Sequence, residues 1–327
     1  MLELSLACQN IDRTRALLDG RVTIEGCRIN FIPGRPEEMF QRAFRHQEFD
    51  ISELSFSTHL ITTARGAGPY VGIPVFLSRA FRHSSIYVRA DSGIDLPEAL
   101  NGRRIGIPDL QQTAGVWARG MLADEYGLKR NEVHWHMGGL EQPGRSARTP
   151  TKPNGKISIQ PIGPQQTLSR MLVDGELDAV IAPRAPAGYG NGNRVARLFP
   201  DYRRAEENYF TRTGLFPIMH AVGIRRSLVE KHPWLPVNVY VAFAKARAIA
   251  LEELSRIDTL HVTHPWIVDE IDRVRSVMGT NFWSYGVKAN AKELDAILRY
   301  AEDDGLIDGP VPLEALFAPS TFDEFNF

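Results

Sequence analysis

Strand-like and helix-like segments alternate along much of the chain, and this alternation is the feature that most constrains the fold. Residues 102–127 show it clearly, because the apolar run IGI is followed by a polar turn and then by a helix-like segment that begins near Thr113 and ends at Gly127. Residues 165–183 repeat the pattern as a helix followed by the apolar run LDAVIA. Strands that alternate with helices predict an α/β fold.

The length of the chain and its other strand-like runs predict two lobes rather than one small core. A chain of 327 residues exceeds what a single small core usually contains. Further strand-like runs lie at residues 2–8, 49–57, 70–76, 84–90 and 216–226, and the chain then becomes mostly helical to about residue 304. In α/β sheets, ligands bind at the loops that follow strand ends and at helix N-termini, so we look for the functional residues there.

Composition and charge exclude several classes of protein. Hydrophobic residues make up 43% and charged residues 24% of the chain, which is typical of a globular protein rather than a disordered one. The net charge of -1 argues against a general nucleic-acid partner, which requires a basic face. Cys8 and Cys27 are the only cysteines, so we expect reduced, buried thiols and no disulfide framework.

Targeting signals are not evident in the sequence. The N-terminal residues MLELSLACQNIDRTR contain no basic region followed by a long apolar run, as a signal peptide would. No apolar segment reaches the length that a membrane span requires. The sequence therefore predicts a cytoplasmic location and no membrane partner.

Several segments together carry a resemblance to one enzyme family. They read CQNIDRTRALLDGRV, EEMFQRAFRHQEFDISELS, YVGIPVFLSRAFRHSSIYVR, GGLEQPGR, DGELDAVIAPRAP, RTGLFPIMHAVGIRR, HPWLP and FWSYGV. In these segments, which span nearly the whole chain, the sequence resembles the 4,5-dihydroxyphthalate decarboxylase family. The resemblance implies a two-lobed type 2 periplasmic-binding-protein-like fold with a ligand cleft between the lobes. It places lobe I at residues 1–87 plus 219–327 and lobe II at residues 88–218.

The substrate implied by the resemblance is a benzene ring with two adjacent carboxylates and two adjacent hydroxyls. A hydroxyl para to the departing carboxylate allows the ring itself to act as the electron sink. The chain shows neither a recognisable Schiff-base lysine motif nor a glycine-rich dinucleotide fingerprint, so we expect no cofactor. The chemistry then requires an acid that protonates the ring carbon, a base for the phenol and a cation for the carboxylate that stays.

The segment SRAFRHS follows one of the strand-like runs and is the first candidate site. Arg79 or Arg82 would hold a carboxylate through two parallel hydrogen bonds, and His83 would be the acid. If the segment is extended, Arg79 and His83 point to the same side and Arg82 faces away. A solvated basic turn is the alternative. We expect a site for a flat dianion here.

A second candidate site lies in ELSFSTH. Glu53 would act as the base, and Glu53 or Ser55 would bind a catechol hydroxyl at the strand end. His59 is either a further catalytic group or a hydrogen-bonded histidine on the following helix.

The turn PDLQQTAG offers an anion site without a formal charge. Gln112, Thr113 and the first amides of the following helix would bind the anion, because N–H groups at a helix start have no partner within the helix. Capping of that helix by Thr113 is the alternative and is compatible with the first role.

Three more candidate residues lie in or just after strand-like runs. Arg184 in IAPRAP lies in a turn stiffened by prolines and is either a ligand contact or half of a salt bridge between the lobes. His220 in PIMH is a second candidate for the acid. Arg13 in IDRTR is a weaker candidate for substrate binding.

Two groups of rings leave alternatives open. His134 and His136 are two residues apart, but a third ligand with suitable spacing is missing, so we predict no metal site. Phe282, Trp283 and Tyr285 either form a wall of the cleft or pack in the core.

Three functions remain open from the sequence. The first is a cofactor-free decarboxylase acting on a small aromatic dicarboxylate, and the second is a non-catalytic solute-binding protein for an aromatic acid or another small anion. The third is a related enzyme that acts on a different hydroxylated aromatic acid. A homo-oligomer is possible.

Overall fold

The computed structural model describes residues 1–144, 156–190 and 194–323. The strands are Leu2–Cys8 (β1), Cys27–Pro33 (β2), Ile51–Ser55 (β3), Tyr70–Arg79 (β4), Ile86–Arg89 (β5), Arg104–Ile107 (β6), His134–Met137 (β7), Ile159–Pro161 (β8), Ala179–Ile181 (β9), Val195–Arg197 (β10) and Ile218–Arg225 (β11). The helices are Asp12–Leu18 (α1), Pro36–Gln41 (α2), Phe56–Ala64 (α3), Thr113–Tyr126 (α4), Leu168–Val173 (α5), Tyr202–Thr213 (α6), Arg226–Lys231 (α7), Leu235–Glu253 (α8), Ile267–Met278 (α9), Ala291–Asp303 (α10) and Leu313–Leu316 (α11).

The chain forms two compact units. The first unit comprises Met1–Arg79, Ile218–Leu294 and Val311–Phe327, and the second comprises Ala80–Pro217 and Asp295–Pro310. No helix in the described ranges combines the length and the apolar character that crossing a membrane would require.

This division differs from the predicted lobes at three places, since residues 80–87 and 295–310 belong to the second unit rather than the first, and residue 218 belongs to the first rather than the second. Strand β5 pairs with β9 and β10, which places the residues around it in the second unit. Asp304 forms an ion pair of 2.6 Å with Arg119 of α4, and both side chains are fully buried. Such pairings join segments that are distant in the sequence, so the lobe boundaries were not evident from local patterns.

The first unit contains a mixed sheet with the strand order β2-β1-β3-β11-β4. Strands β1, β2 and β3 are parallel, and β11 runs antiparallel to both β3 and β4. The ends of β1, β3 and β4 therefore lie at the same edge of the sheet as the start of β11. We call this the carboxyl edge of the first sheet.

Helix α2 packs its apolar face against this sheet, because the spacing of its apolar residues places them on one side of the helix. Met39, Phe40 and Ala43 are buried in one cluster with residues of β1, β3 and β4, and Phe44 is partly buried against the same cluster. The helix continues beyond Gln41 as a π-helical turn.

The second unit contains a sheet with the strand order β10-β5-β9-β6-β7-β8. Helix α4 follows β6, begins at Thr113 and ends before Gly127, which adopts a left-handed conformation with φ of 64°. These bounds confirm the prediction from the sequence. Within α4, a Cβ atom on Gly120 would lie 2.2 Å from the ring of Tyr300, so only glycine permits this close approach.

Candidate active site

The carboxyl edge of the first sheet brings together residues from three strands. Gln9 directly follows β1, Glu53 lies in the middle of β3 and Ser55 at its end, and His220 lies near the start of β11. His220 is opposite Ser55 in the β3–β11 pairing. Segments that are more than 40 residues apart in the sequence thus meet at one edge, where α/β sheets commonly bind ligands.

A carboxylate–histidine pair is the central feature of this edge. The Nδ1 atom of His220 lies 2.7 Å from the Oε1 atom of Glu53. The Glu53 side chain is 0% exposed, whereas the His220 side chain is 17% exposed. The carboxylate therefore has no access to solvent, and the imidazole is the member of the pair that a small molecule can reach.

Gln9 holds the same carboxylate through two further hydrogen bonds. Its backbone N–H donates to Oε2 of Glu53 at 3.0 Å, and its side-chain amide donates to Oε1 at 2.9 Å. Sequence reasoning missed Gln9, because an isolated glutamine after a strand carries no local signal.

The electrostatics of Glu53 follow from these contacts. Burial raises the pKa of its carboxyl, but the hydrogen bond and charge of His220 and the two bonds from Gln9 outweigh burial and hold the pKa below its usual value. Glu53 is therefore an ionised carboxylate that can only accept hydrogen bonds. The hydrogen on Nδ1 of His220 therefore bonds to Glu53. In the protonated imidazolium, Nε2 carries the second hydrogen, and that is the proton available for transfer.

The backbone around His220 is irregular in a way that affects its side chain. In the pairing of β11 with β4, the register shifts on both sides of His220, which lies opposite Ser78. Bulges of this kind turn a side chain away from the regular alternation of a strand. The edge of the His220 ring also packs against Phe40, with the ring centroids 4.8 Å apart.

Arg13 lies at the same edge and is fixed by three neighbours. Its Nε atom donates to the carbonyl of Leu77 at 2.7 Å, and its guanidinium lies 4.0 Å above the ring of Trp283. Asp12 contacts Nη1 at 2.6 Å, and the Arg13 side chain remains 17% exposed. Leu77 directly precedes Ser78, the cross-strand neighbour of His220, so Arg13 is anchored on the part of β4 that pairs with His220.

Arg79 lies one residue further along β4 and is buried. Glu293 lies 3.5 Å from its Nη1 atom, and Asn290 accepts a hydrogen bond from Nη2. Burial lowers the pKa of Arg79 to about 10, and Glu293 opposes this shift. Its positive charge is thus balanced within the first unit itself.

His59 is held by the protein backbone. Its Nε2 atom donates to the carbonyl of Leu316 at 2.8 Å, which connects α3 to α11. Burial lowers the pKa of His59 to about 4, so the ring is neutral at pH 7. Of the two interpretations from the sequence, this geometry favours the hydrogen-bonded structural histidine.

The segment SRAFRHS is divided between the two units. Arg79 ends β4 in the first unit, whereas Arg82 and His83 belong to the second. Strand β4 ends at Arg79 and His83 begins a 3₁₀ turn, so the condition of an extended segment, under which Arg79 and His83 would point together, is not met. Arg82 does not face solvent either, since it is only 9% exposed and its pKa is lowered to about 10 by burial.

An aromatic shell encloses His83. The rings of Phe199, Tyr209 and Tyr126 lie with their centroids 5.0, 5.3 and 6.0 Å from that of His83. The side chain is fully buried, and among the described residues neither ring nitrogen has a hydrogen-bond partner. Burial lowers the pKa of His83 to about 4, and the charge of Arg212 acts in the same direction.

The other candidates of the second unit lie on separate elements. Gln112, rather than Thr113, occupies the N-cap position of α4, and its side chain forms no capping bond. Thr113 is the first residue of that helix and is buried. Arg184 follows β9 and is exposed.

The remaining rings take different positions. Trp283 donates from Nε1 to the carbonyl of Phe76 at 2.9 Å, and Tyr285 is buried, with Arg247 4.9 Å from its ring centroid. Strand β7 carries His134 and His136, and no group of three potential metal ligands occurs in the described part of the chain.

The fold and this edge place the chain in the type 2 periplasmic-binding-protein-like class. The aliphatic sulphonate binding protein SsuA from Escherichia coli superposes with a TM-score of 0.52, covering 100% of this chain and 95% of that one at 14% sequence identity. Identity this low concerns the fold alone. The predicted α/β class with two lobes is confirmed.

Sequence similarity identifies the family. The chain is 44% identical over 326 residues, 99% of both chains, to a 4,5-dihydroxyphthalate decarboxylase from Comamonas testosteroni. It is 45% identical over 210 residues, 64% of this chain and 81% of the other, to an enzyme of the same name from Pseudomonas putida. The chain belongs to the 4,5-dihydroxyphthalate decarboxylase family, as the resemblance predicted. No protein-family model matches it.

Proposed function

We propose that this chain is a carboxy-lyase that converts 4,5-dihydroxyphthalate to 3,4-dihydroxybenzoate (protocatechuate) and CO₂. The observation that carries the proposal is the Glu53–His220 pair, in which a buried, ionised carboxylate orients a partly exposed imidazole. The names of the two relatives, at 44% and 45% identity, support the substrate.

His220 is the general acid of the proposed reaction. Its Nε2 atom gives a proton to the ring carbon that bears the departing carboxylate, while the para hydroxyl loses its proton to water. The bond to the carboxylate then breaks, CO₂ leaves and the electron pair restores the aromatic ring. The phenolate and His220 regain their protons from water, so one proton is consumed for each CO₂ released.

Glu53 supports this step through His220 rather than by touching the substrate. Its side chain is fully buried, and both carboxylate oxygens are bound by His220 and Gln9. The negative charge stabilises the imidazolium and keeps its ring in one orientation. This role replaces the one predicted from the sequence, in which Glu53 acts directly as the base for the phenol.

Arg13 holds the carboxylate that remains on the ring. Its guanidinium is fixed against Leu77 and Trp283 and stays partly exposed. Arginine suits this role because its planar fork matches a carboxylate and keeps its proton. Ser55, opposite His220 in the sheet, is placed to bind a catechol hydroxyl.

The test is a direct assay of the purified protein. Loss of 4,5-dihydroxyphthalate is followed by ultraviolet absorbance while CO₂ and 3,4-dihydroxybenzoate are quantified in equal samples. Stoichiometric release of both products supports the proposal. Tight binding of the substrate without turnover would support the solute-binding alternative instead. Turnover of a different hydroxylated aromatic acid alone would support the related enzyme.

The cellular location and the oligomeric state of the protein remain proposals. We propose a cytoplasmic location, because the proposed reaction belongs to the breakdown of aromatic rings. Fractionation of cells that express the full chain tests this location. The possible homo-oligomer stays a prediction, which light scattering of the purified chain decides.

A further inference from the structure

Gln9 occupies a specific place in the hydrogen-bond network of the first unit. Strand β1 pairs with β3 through Leu6–Ile51 and Ala7–Ser52, and Gln9, which directly follows the last residue of β1, lies alongside Glu53. Its N–H group lies beyond the last of these pairs and donates to the Glu53 carboxylate instead of to a strand carbonyl. Its side-chain amide donates to the same carboxylate, so one residue contacts both oxygens.

The carboxylate needs these donors because it is fully buried. An ionised carboxyl group away from water is strongly disfavoured unless its oxygens accept hydrogen bonds. Three donated bonds reach Glu53, one from His220 and two from Gln9. Of the three, only the side-chain bond of Gln9 can be removed by substitution without altering the backbone or the proposed acid.

The thiol of Cys8 is a titratable group whose pKa is affected by the negative charge of Glu53. This thiol is buried, and burial together with the charge of Glu53 raises its pKa. Cys8 therefore stays neutral near pH 7 and adds no second negative charge beside Glu53. His220 and Gln9 are the other groups that influence the Glu53 carboxyl.

We infer that Gln9 is a positioning residue, which keeps Glu53 ionised and so holds the His220 ring through its Nδ1–H bond, with the transferable proton on Nε2 of the imidazolium. This inference rests on the proposed function and deepens it, because it assigns the orientation of the acid to a residue that does not touch the substrate. This role distinguishes Gln9 from residues that only pack in the core. Loss of such a residue would lower the stability of the protein without changing the pKa of Glu53.

The sign of the expected effect follows from the contacts. The hydrogen bond from the Gln9 amide favours the ionised form of Glu53, so removal of the amide raises the pKa of that carboxyl. Turnover needs the ionised form, and activity is lost as the pH falls through this pKa. In Gln9→Leu the loss on the acid side should therefore occur at higher pH than in the parent enzyme.

The experiment compares Gln9→Leu with Gln41→Leu, a matched substitution at an exposed glutamine at the end of α2. For Gln9→Leu we expect kcat at pH 7 to fall by about tenfold, as for a lost hydrogen bond to a charged group, with KM nearly unchanged. The acid limb of its pH–activity profile, the range in which kcat falls as the pH decreases, should shift to higher pH. Gln41→Leu should have the same kcat, KM and acid limb as the parent enzyme. An unshifted acid limb in a folded Gln9→Leu protein would overturn the inference.

A second measurement does not depend on decarboxylation. The Nδ1 proton of His220, bonded to Glu53, should give a downfield proton resonance in the ligand-free protein, identified by its absence in His220→Gln. We expect Gln9→Leu to shift or broaden this resonance and Gln41→Leu to leave it in place. An identical resonance in Gln9→Leu counts against the inference even if the parent protein has no decarboxylase activity.

Gln9→Asn provides a milder variant in case Gln9→Leu does not fold. Asparagine keeps the backbone donor and an amide that is one methylene shorter. We expect an intermediate shift of both the acid limb and the Nδ1 resonance. Parent-like values for both quantities in this variant, with Gln9→Leu unfolded, would contradict the inference.

Discussion

Two histidines, one in each unit, show how differently the same side chain is used in this protein. His220 in the first unit has an ionised carboxylate 2.7 Å from Nδ1 and remains partly exposed. His83 in the second unit lies fully buried among Phe199, Tyr209 and Tyr126. In the sequence His83 has the richer surroundings of arginines and rings. The comparison teaches that an acid is recognised by its partner and its exposure, not by its sequence neighbours.

The strongest test of this difference between the two histidines is to replace each of them separately with glutamine. His220→Gln removes the proposed acid, and we expect kcat to fall by on the order of a hundredfold or more. His83→Gln should keep kcat near that of the parent protein while lowering the free energy of unfolding by about 1–3 kcal/mol, because an amide is left buried among rings. Steady-state kinetics and denaturant unfolding measure the two effects. The reverse result, with turnover lost only in His83→Gln, would restore the site predicted in SRAFRHS.

Two arginines of the first unit extend the comparison, since we expect one to bind the substrate and the other to stabilise the fold. Arg13→Ala should raise KM by about tenfold or more with a smaller effect on kcat, because a charge-assisted pair to the carboxylate is lost. Arg79→Ala should mainly destabilise the fold, by about 3–5 kcal/mol, since it leaves the nearly buried Glu293 without its cationic partner.

Kinetics and thermal unfolding of both variants separate these roles. A parent-like KM for Arg13→Ala together with a raised KM for a stable Arg79→Ala protein would transfer the carboxylate site to Arg79.

The pH dependence of stability tests the environment of His83. The pKa of His83 is lowered from 6.5 to about 4 in the folded protein by burial. The unfolded chain therefore binds this proton at higher pH than the folded chain does. Above pH 6.5 the His83 ring is uncharged in both the folded and the unfolded state. As the pH falls from 6.5 to about 4, the unfolded chain binds the proton while the folded protein does not, so the free energy of unfolding decreases progressively.

Chemical denaturation at a series of pH values should show a shallower loss of stability in His83→Gln than in the parent protein over this range. Equal slopes for the two proteins would show that His83 titrates normally and is not enclosed as described.

The smallest expected effect concerns metals. The proposed mechanism uses the aromatic ring as its electron sink, so dialysis against a chelator should leave kcat and KM unchanged within error. Recovery of lost activity by a single divalent ion would assign the proton chemistry to a metal-bound group and would remove His220 from its role as the acid.

Much of the fold could be predicted from the sequence because it depends on local patterns. Helix α4 begins at Thr113 and ends before Gly127, as the apolar spacing and the glycine predicted. Met39, Phe40 and Ala43 likewise have the spacing of one helical face, and all three are buried in one cluster. The lobe boundaries could not be predicted in this way, since the buried Arg119–Asp304 pair joins positions 185 residues apart.

The candidate site was predictable only in part. Glu53, His220 and Arg13 were found as polar residues near the ends of strand-like runs, but nothing in the sequence indicated that Glu53 contacts His220 or that Arg13 lies over Trp283. Gln9 was missed altogether. The arrangement considered for an extended SRAFRHS segment does not occur, because β4 ends at Arg79 and His83 begins a 3₁₀ turn.

The sequence by itself determined the α/β class, the main strands and helices, and the family, because apolar periodicity, turn residues and matching segments are read locally along the chain. Tertiary structure alone decided which histidine meets a carboxylate, which arginine stays partly exposed and which residue holds Glu53 in place. The physical reason is that ionisation depends on burial and on donors within about 3 Å, and strand pairing sets both between residues far apart in the sequence.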